Sequence, residues 1–414
     1  MLPTNYTKNT APVHAHLVSG QGARVSDVGG NEYIDFCSQT LNINLGQCHP
    51  VIQAAVSEQL GKLTYASSRF SSDIADRLHA KLVAITPSPL ARVNLSSVTG
   101  SLANECAIKA VRKKTGKSTT ISRMHSHLGQ SAESMRISGK HWENTYLGER
   151  NTKYLPAPYC FRCPFGQTAN SCNSECLDGL EGILRDSGDD INCIIMEPVM
   201  MDAGVLAPPK AYHERVRQFC DEHHIPLIWD EIQTAFGWLG TTFAMDVYGV
   251  VPDILSLGKG LGAGLPIAAT IMTEEYDVLA YGEHEFTSGA NVLSCAASLA
   301  MIDYLETSDI LPAVVRKGAW LRGALEKLSE KHPCIGDVRG IGLMLGIEIV
   351  DPKTGAPDGE KALGIFREML SHGVILRISK VGEHSNVLQL KPPLVITEDD
   401  LVEVVDKLDL VLSN

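Results

Sequence analysis

The chain lacks any apolar run approaching the ~20 residues that a membrane-spanning helix needs. It also lacks a surplus of positive charge: 36 Lys and Arg stand against 48 Asp and Glu, a net charge of −12. That balance argues against a general nucleic-acid binder, which displaces counterions with a basic surface. It argues equally against docking on an anionic membrane. Met1 to Gly20 contain no charged segment followed by an apolar run, so no signal peptide is expected. Eleven cysteines, an odd number scattered along the chain, suit reduced thiols in a cytoplasmic protein better than a secreted disulfide framework. There is no internal repeat and no low-complexity segment. A chain of 414 residues exceeds what one core supports, so two packed domains are expected.

What the chain does have is alternation. "GARVSDVGGNEYIDF" alternates apolar and polar residues around Gly29-Gly30 and reads as a hairpin. Val51, Ala54, Ala55 and Leu60 then recur at helical spacing. Val93–Ser97 reads as a short strand, with a helix expected over Ser101–Lys113. Cys193–Val199 is a buried-strand run, followed by an expected helix over Pro208–His223. Ile225–Glu231 and Asp253–Gly260 are further strands, the first ending in acid and the second in a lysine. Apolar strands separated by helices predict an α/β fold with a mostly parallel sheet covered on both faces. Past Ala290 a long helical region is expected from Ser294 through Leu328. Strands in "GLMLGIEIV" and "GVILRIS", then "VLQLKPPL", and a helix over Glu398–Leu412 complete a smaller α+β unit. The expected division is an N-terminal arm at 1–50 contributing to the small domain, a large domain at 51–300 and a C-terminal domain at 301–414. Asn151–Glu175, rich in Pro, Cys and Asn, reads as a long loop on the large domain.

Three segments carry chemistry. Lys259 lies in "LGKGLGAGLP", where Gly258, Gly260, Gly262 and Gly264 let a ligand approach the backbone. A glycine-rich surface turn with a solvated lysine has the same signature. Asp230 and Glu231 end an apolar strand, where α/β sheets meet their ligands; strand-end solvation or helix capping uses the same residues. "TGSLANECAIKA" sets Gly100 and Ser101 at a helix start, suited to a phosphate or to simple N-capping by Thr99 or Ser101. A lysine amine, a carboxylate for a pyridine nitrogen and donors for a phosphate are together what pyridoxal 5′-phosphate (PLP) needs. Gln233, just past Asp230, suits the cofactor's phenolic oxygen.

In this order the segments resemble the class III, or ω-type, aminotransferases, PLP enzymes of fold type I. The resemblance runs from "GNEYIDF" to "PPLVIT", with "IIMEPV", "LIWDEIQTAFGWLG" and "GVVPDILSLGKGLGAGLPIAA" as its core. It implies Lys259 as the Schiff-base lysine, Asp230 as the pyridinium partner, Gln233 beside the ring hydroxyl, and Gly100 and Ser101 in the phosphate loop. Thr287, in "FTSGAN", matches a hydroxyl that reaches the phosphate from a neighbouring subunit, which implies a homodimer with shared sites. His127, in "SHLGQS", stands where the family usually stacks Tyr or Phe on the ring. Glu197, in "MEPV", matches an acid at the cofactor's rim. The implied activity is amino transfer between an amine or amino acid and a carbonyl compound.

The chain also departs from the pattern. Gln130 and Gln389 stand where relatives that bind dicarboxylates commonly carry arginines, and Asp202 matches the acid that pairs with the second of these. A neutral glutamine offers no charge-assisted, bidentate contact to a carboxylate. A substrate carboxylate is therefore left with Arg69, Arg136, Arg377 or Lys391, which the sequence does not rank. A PLP racemase, lyase or bond-forming enzyme acting on an amino acid is the alternative. Cys160, Cys163, Cys172 and Cys176 have a spacing compatible with a structural zinc, or with four packed thiols. Trp229, Trp238 and the His223-His224 pair read as packing and helix-end residues.

Overall fold

The computed structural model describes residues 15–141, 147–148, 151–168, 171–381 and 384–413. Near the N-terminus, β1 (Leu17–Gln21), β2 (Arg24–Asp27) and β3 (Glu32–Asp35) form an antiparallel meander. The expected hairpin is β2–β3, and its turn holds Gly30 at a φ of +81°, a left-handed position that suits glycine.

The central sheet contains β4 (Arg92–Asn94), β5 (Thr119–Arg123), β6 (Thr152–Leu155), β7 (Ile191–Met196), β8 (Leu227–Asp230), β9 (Ile254–Leu257) and β10 (Ala269–Met272). Their order is β4-β10-β9-β8-β7-β5-β6. Of these seven, only β10 runs against the rest, so the sheet is mostly parallel as expected. β5 and β7 to β10 are buried at every position. Burial on both faces is why these strands read as continuous apolar runs. The Gly100–Thr115 helix turns Ala103, Ala107, Ile108 and Val111 inward. It ends at Gly116, whose N–H bonds the Arg112 carbonyl at 2.8 Å. Trp229 and Trp238 are fully buried packing residues.

Toward the C-terminus lie β11 (Ile335–Ile341), β12 (Met344–Ile349), β13 (Val374–Ile375), β14 (Arg377–Val381) and β15 (His384–Leu390). β11, β12, β15 and β14 form an antiparallel sheet in that order. β13 instead pairs parallel with β3, joining the N-terminal meander to the C-terminal part of the chain. "GVILRIS" is therefore two strands in two sheets, not one. The helical region after Ala290 is likewise two helices, Val292–Thr307 and Ile310–Lys331. Pro312 explains the break: it has no N–H, and in a continuous helix its ring would meet the carbonyl of Ser308. The expected long loop opens with an edge strand, β6, before becoming irregular.

Candidate active site

Apart from Thr287, each candidate cofactor segment follows the carboxyl end of a strand that runs in the sheet's common direction. Gly100 and Ser101 follow β4, His127 follows β5, Glu197 follows β7, Asp230 ends β8 and Lys259 comes just after β9. That edge is where open α/β sheets form their ligand crevice. Gly100, Ser101, His127, Gln130, Asp230, Gln233 and Lys259 line one cavity of about 360 Å³ there.

Lys259 does not end a strand; it opens a short 3-10 turn over Lys259–Gly262 and holds a φ of +42°. Burial pushes its amine below the ordinary lysine value, while Asp202, Asp230 and Glu197 act in the opposite direction. Asp230 is 4 % exposed. Its carboxylate accepts from Asn104 Nδ2 at 2.7 Å and from the Ile232 N–H at 2.9 Å. It has no ion pair among the described residues, and burial pushes its pKa up to about 6.

Thr99 precedes the Gly100–Thr115 helix without making a side-chain capping bond. The uncapped helix start therefore lines the cavity as a cluster of backbone donors. Ser101 Oγ accepts the Gln130 N–H at 2.9 Å, which leaves the hydroxyl proton free to donate. A Cβ at Gly100 would lie 2.5 Å from Ile232 Cδ1. At Gly129, where φ is +134°, it would meet Ser134 Oγ and stand 2.6 Å from Ser101 Oγ.

Glu197 lies behind the cavity wall, its Oε1 accepting the His127 N–H at 2.9 Å. Burial first, then the neighbouring Asp230, push it up to about 8. Gln233 Nε2 donates to Asp202 Oδ2 at 3.1 Å, and His127 Nε2 lies 4.0 Å from that oxygen. Thr287 is exposed and stands off the cavity wall of its own chain; its carbonyl accepts from the Tyr65 hydroxyl at 2.8 Å.

The four candidate cations now separate. Arg69 is exposed. Arg136 bonds the Leu147 carbonyl at 2.8 Å and Glu133 at 3.4 Å. Arg377 Nη2 pairs with Asp202 Oδ1 at 2.7 Å. Lys391 is buried beside them, and burial with Arg377 lowers its pKa to about 7. Gln389, fully buried, donates to the Met201 carbonyl.

Cys160, Cys163, Cys172 and Cys176 lie close enough to feel one another's charge, and Cys176 is pushed up to about 12 by burial and then by its neighbours. Among the described residues no group of three or more His, Cys, Asp and Glu is arranged to hold a metal ion. No described helix is long and apolar enough to cross a membrane. Sequence reasoning missed Asn104, which joins the Leu128 carbonyl to Asp230, and Ile232, which lines the cavity. The available signal was an asparagine set inside the apolar stripe of a helix.

The class-III aminotransferase family model matches residues 5–412. A leucine/methionine racemase of Thermococcus litoralis is 34% identical over 411 residues, covering 98% of this chain and 91% of its own. A diaminobutyrate–2-oxoglutarate aminotransferase of Rhizobium meliloti is 32% identical, covering 94% and 86%. The solved structure of a PLP-bound amine transaminase from an uncultivated Pseudomonas species superposes with a TM-score of 0.91 at 27% identity, covering 100% and 99%. A match of this extent, on a sheet whose parallel-strand ends carry the cavity, puts the chain in the class-III aminotransferase family of PLP-dependent, fold type I enzymes.

Proposed function

We propose that this chain moves an amino group between an amine or amino acid and a carbonyl compound, using PLP held on Lys259. The observation that carries the reading is one cavity that joins a buried lysine, a buried carboxylate with no ion pair among the described residues and an uncapped helix start. Those groups fit the cofactor. A protonated pyridine nitrogen would give Asp230 a close counter-charge, and the helix start with Ser101 would supply phosphate donors. At Gly100 and Gly129 there is no room for even a Cβ.

Bound there, PLP supplies the electron sink that makes the bonds at the substrate's amine-bearing carbon labile. Lys259 contributes a nucleophilic amine, because burial favours its neutral form. With the cofactor bound, Lys259 Nζ would be the base that takes the proton from the substrate carbon. Asp230 would keep the ring nitrogen protonated, and Asn104 and the Ile232 N–H hold Asp230 in position. His127 offers a flat face at the cavity wall, and Glu197 fixes its backbone. We further propose a homodimer, in which the exposed Thr287 meets the phosphate of the partner's site.

Racemisation of an amino acid is a second reading, supported by the identity to the leucine/methionine racemase. One experiment separates the two. The absorbance of the loaded protein is followed as a panel of amines and amino acids is added, then a keto acid. Conversion to the pyridoxamine form, reversed by the keto acid, is the expected result. Loss of optical activity without any pyridoxamine form would replace the leading reading with the second.

A further inference from the structure

Arg377 on β14 stands directly opposite Gln389 on β15. Directly opposed residues of an antiparallel pair project from the same face. Both side chains reach the same short stretch of chain. Gln389 Nε2 donates to the Met201 carbonyl, and Arg377 Nη2 pairs with Asp202 Oδ1 at 2.7 Å. The other oxygen of Asp202 takes Gln233 Nε2 at 3.1 Å and lies 4.0 Å from His127 Nε2. Gln233 and His127 line the cavity with Lys259, so Arg377 is one carboxylate removed from its wall.

The guanidinium is only partly used. Its side chain is 34 % exposed, and its hydrogen bonding among the described residues is the one contact to Asp202. A guanidinium carries five N–H donors in a rigid fork, so most of the fork is open. The competing cations lack this combination: Arg69 is out on the surface, Arg136 is taken up by a carbonyl and Glu133, and Lys391 is 1 % exposed. Asp202 stays ionised at neutral pH. Burial pushes it up, but Arg377, His127, Lys140 and Lys391 outweigh that and hold it well below the ordinary carboxylate range. An ionised Asp202 fixes one edge of the fork and leaves the rest to an incoming anion.

We infer that Arg377 receives the carboxylate of an amino-acid substrate, with Asp202 as the positioning residue that holds its guanidinium. The cation absent at Gln389 is thus supplied from the residue directly across the strand pair. The inference rests on reading the Lys259 cavity as the cofactor and substrate site. It makes the substrate an amino acid rather than an amine without a carboxylate.

The test uses the full, cofactor-loaded chain as wild type, Arg377→Gln, and the swapped pair Arg377→Gln with Gln389→Arg. The binding probes are butyrate and 4-methylpentanoate, carboxylates without an amine, titrated by calorimetry. In parallel, L-leucine is compared with 3-methylbutylamine, which lacks only the carboxylate, by the cofactor's absorbance change. Losing a hydrogen-bonded charge contact is expected to weaken carboxylate binding about tenfold to a hundredfold in Arg377→Gln. The swapped pair should recover most of that loss, and in each variant reaction with 3-methylbutylamine should fall far less than reaction with L-leucine. Unchanged carboxylate binding in Arg377→Gln would overturn the inference. So would an equal loss toward amine and amino acid, or no recovery in the swapped pair. Failure of the cofactor reading has a different signature: wild type itself without cofactor absorbance.

Discussion

Asp230 and Glu197 are carboxyl groups in one buried neighbourhood, and their partners give them different work. Asp230 accepts two hydrogen bonds and makes no ion pair among the described residues. Glu197 is pushed from its ordinary 4.5 to about 8. A raised pKa means that the folded chain keeps a proton the unfolded chain releases. The stability tied to Glu197 is therefore whole below 4.5 and is lost as pH rises to about 8. In the cofactor-free protein, Glu197→Gln is expected to flatten the fall of Tm over this window. Glu231, raised to about 8 as well, keeps part of the slope in the variant. Thermal melts of both proteins across that range check this, and parallel curves would refute it. At this scale the sequence pointed to Lys259 and Asp230 because their chemistry is a rare combination, and the fold brings both to one cavity. It was not legible at Asn104, because an asparagine in a helix reads as solvated until its face is known to be buried. Arg377 stood level with three other cations until strand register set it opposite Gln389.

The strands and helices were legible by period, and their ends were not. β8 and β9 were found because burial on both faces makes them apolar throughout. β11 escaped because "IGDVRGI" is largely half-buried and mixes glycine and charge among its apolar residues. β13 and β14 looked continuous because one apolar run passes between two sheets, a tertiary fact with no local mark. The helix start at Gly100 depends on the loop beside it. Gly129→Ala would put a Cβ against Ser134 Oγ and Ser101 Oγ at a φ of +134°, a conformation that L side chains rarely adopt. The loop must shift, and Ser101 loses its bond from the Gln130 N–H. The expected effect is about a tenfold or larger loss of cofactor affinity, for a few kcal/mol at most in stability. Equilibrium dialysis with PLP and a melting curve measure both; wild-type affinity in the variant would show that the helix start does not bind the phosphate.

Across the whole molecule, the N-terminal meander is held to the C-terminal elements. β3 pairs with β13, and Arg24 bridges to Asp400 and Glu403 at 2.7 Å each. The alternation of strand and helix made the mostly parallel sheet legible, and the sheet in turn gathers the candidate residues at one edge. Thr287 lies outside that gathering within a single chain, so the reach from a partner subunit belongs to the proposal of a dimer. The measurement that bears most directly on the whole account is to load the protein with PLP, reduce it with borohydride and map the modified peptide. The account predicts one pyridoxyl group per chain, on Lys259, and none in Lys259→Ala. Labelling spread over several lysines, or retained in Lys259→Ala, would contradict it.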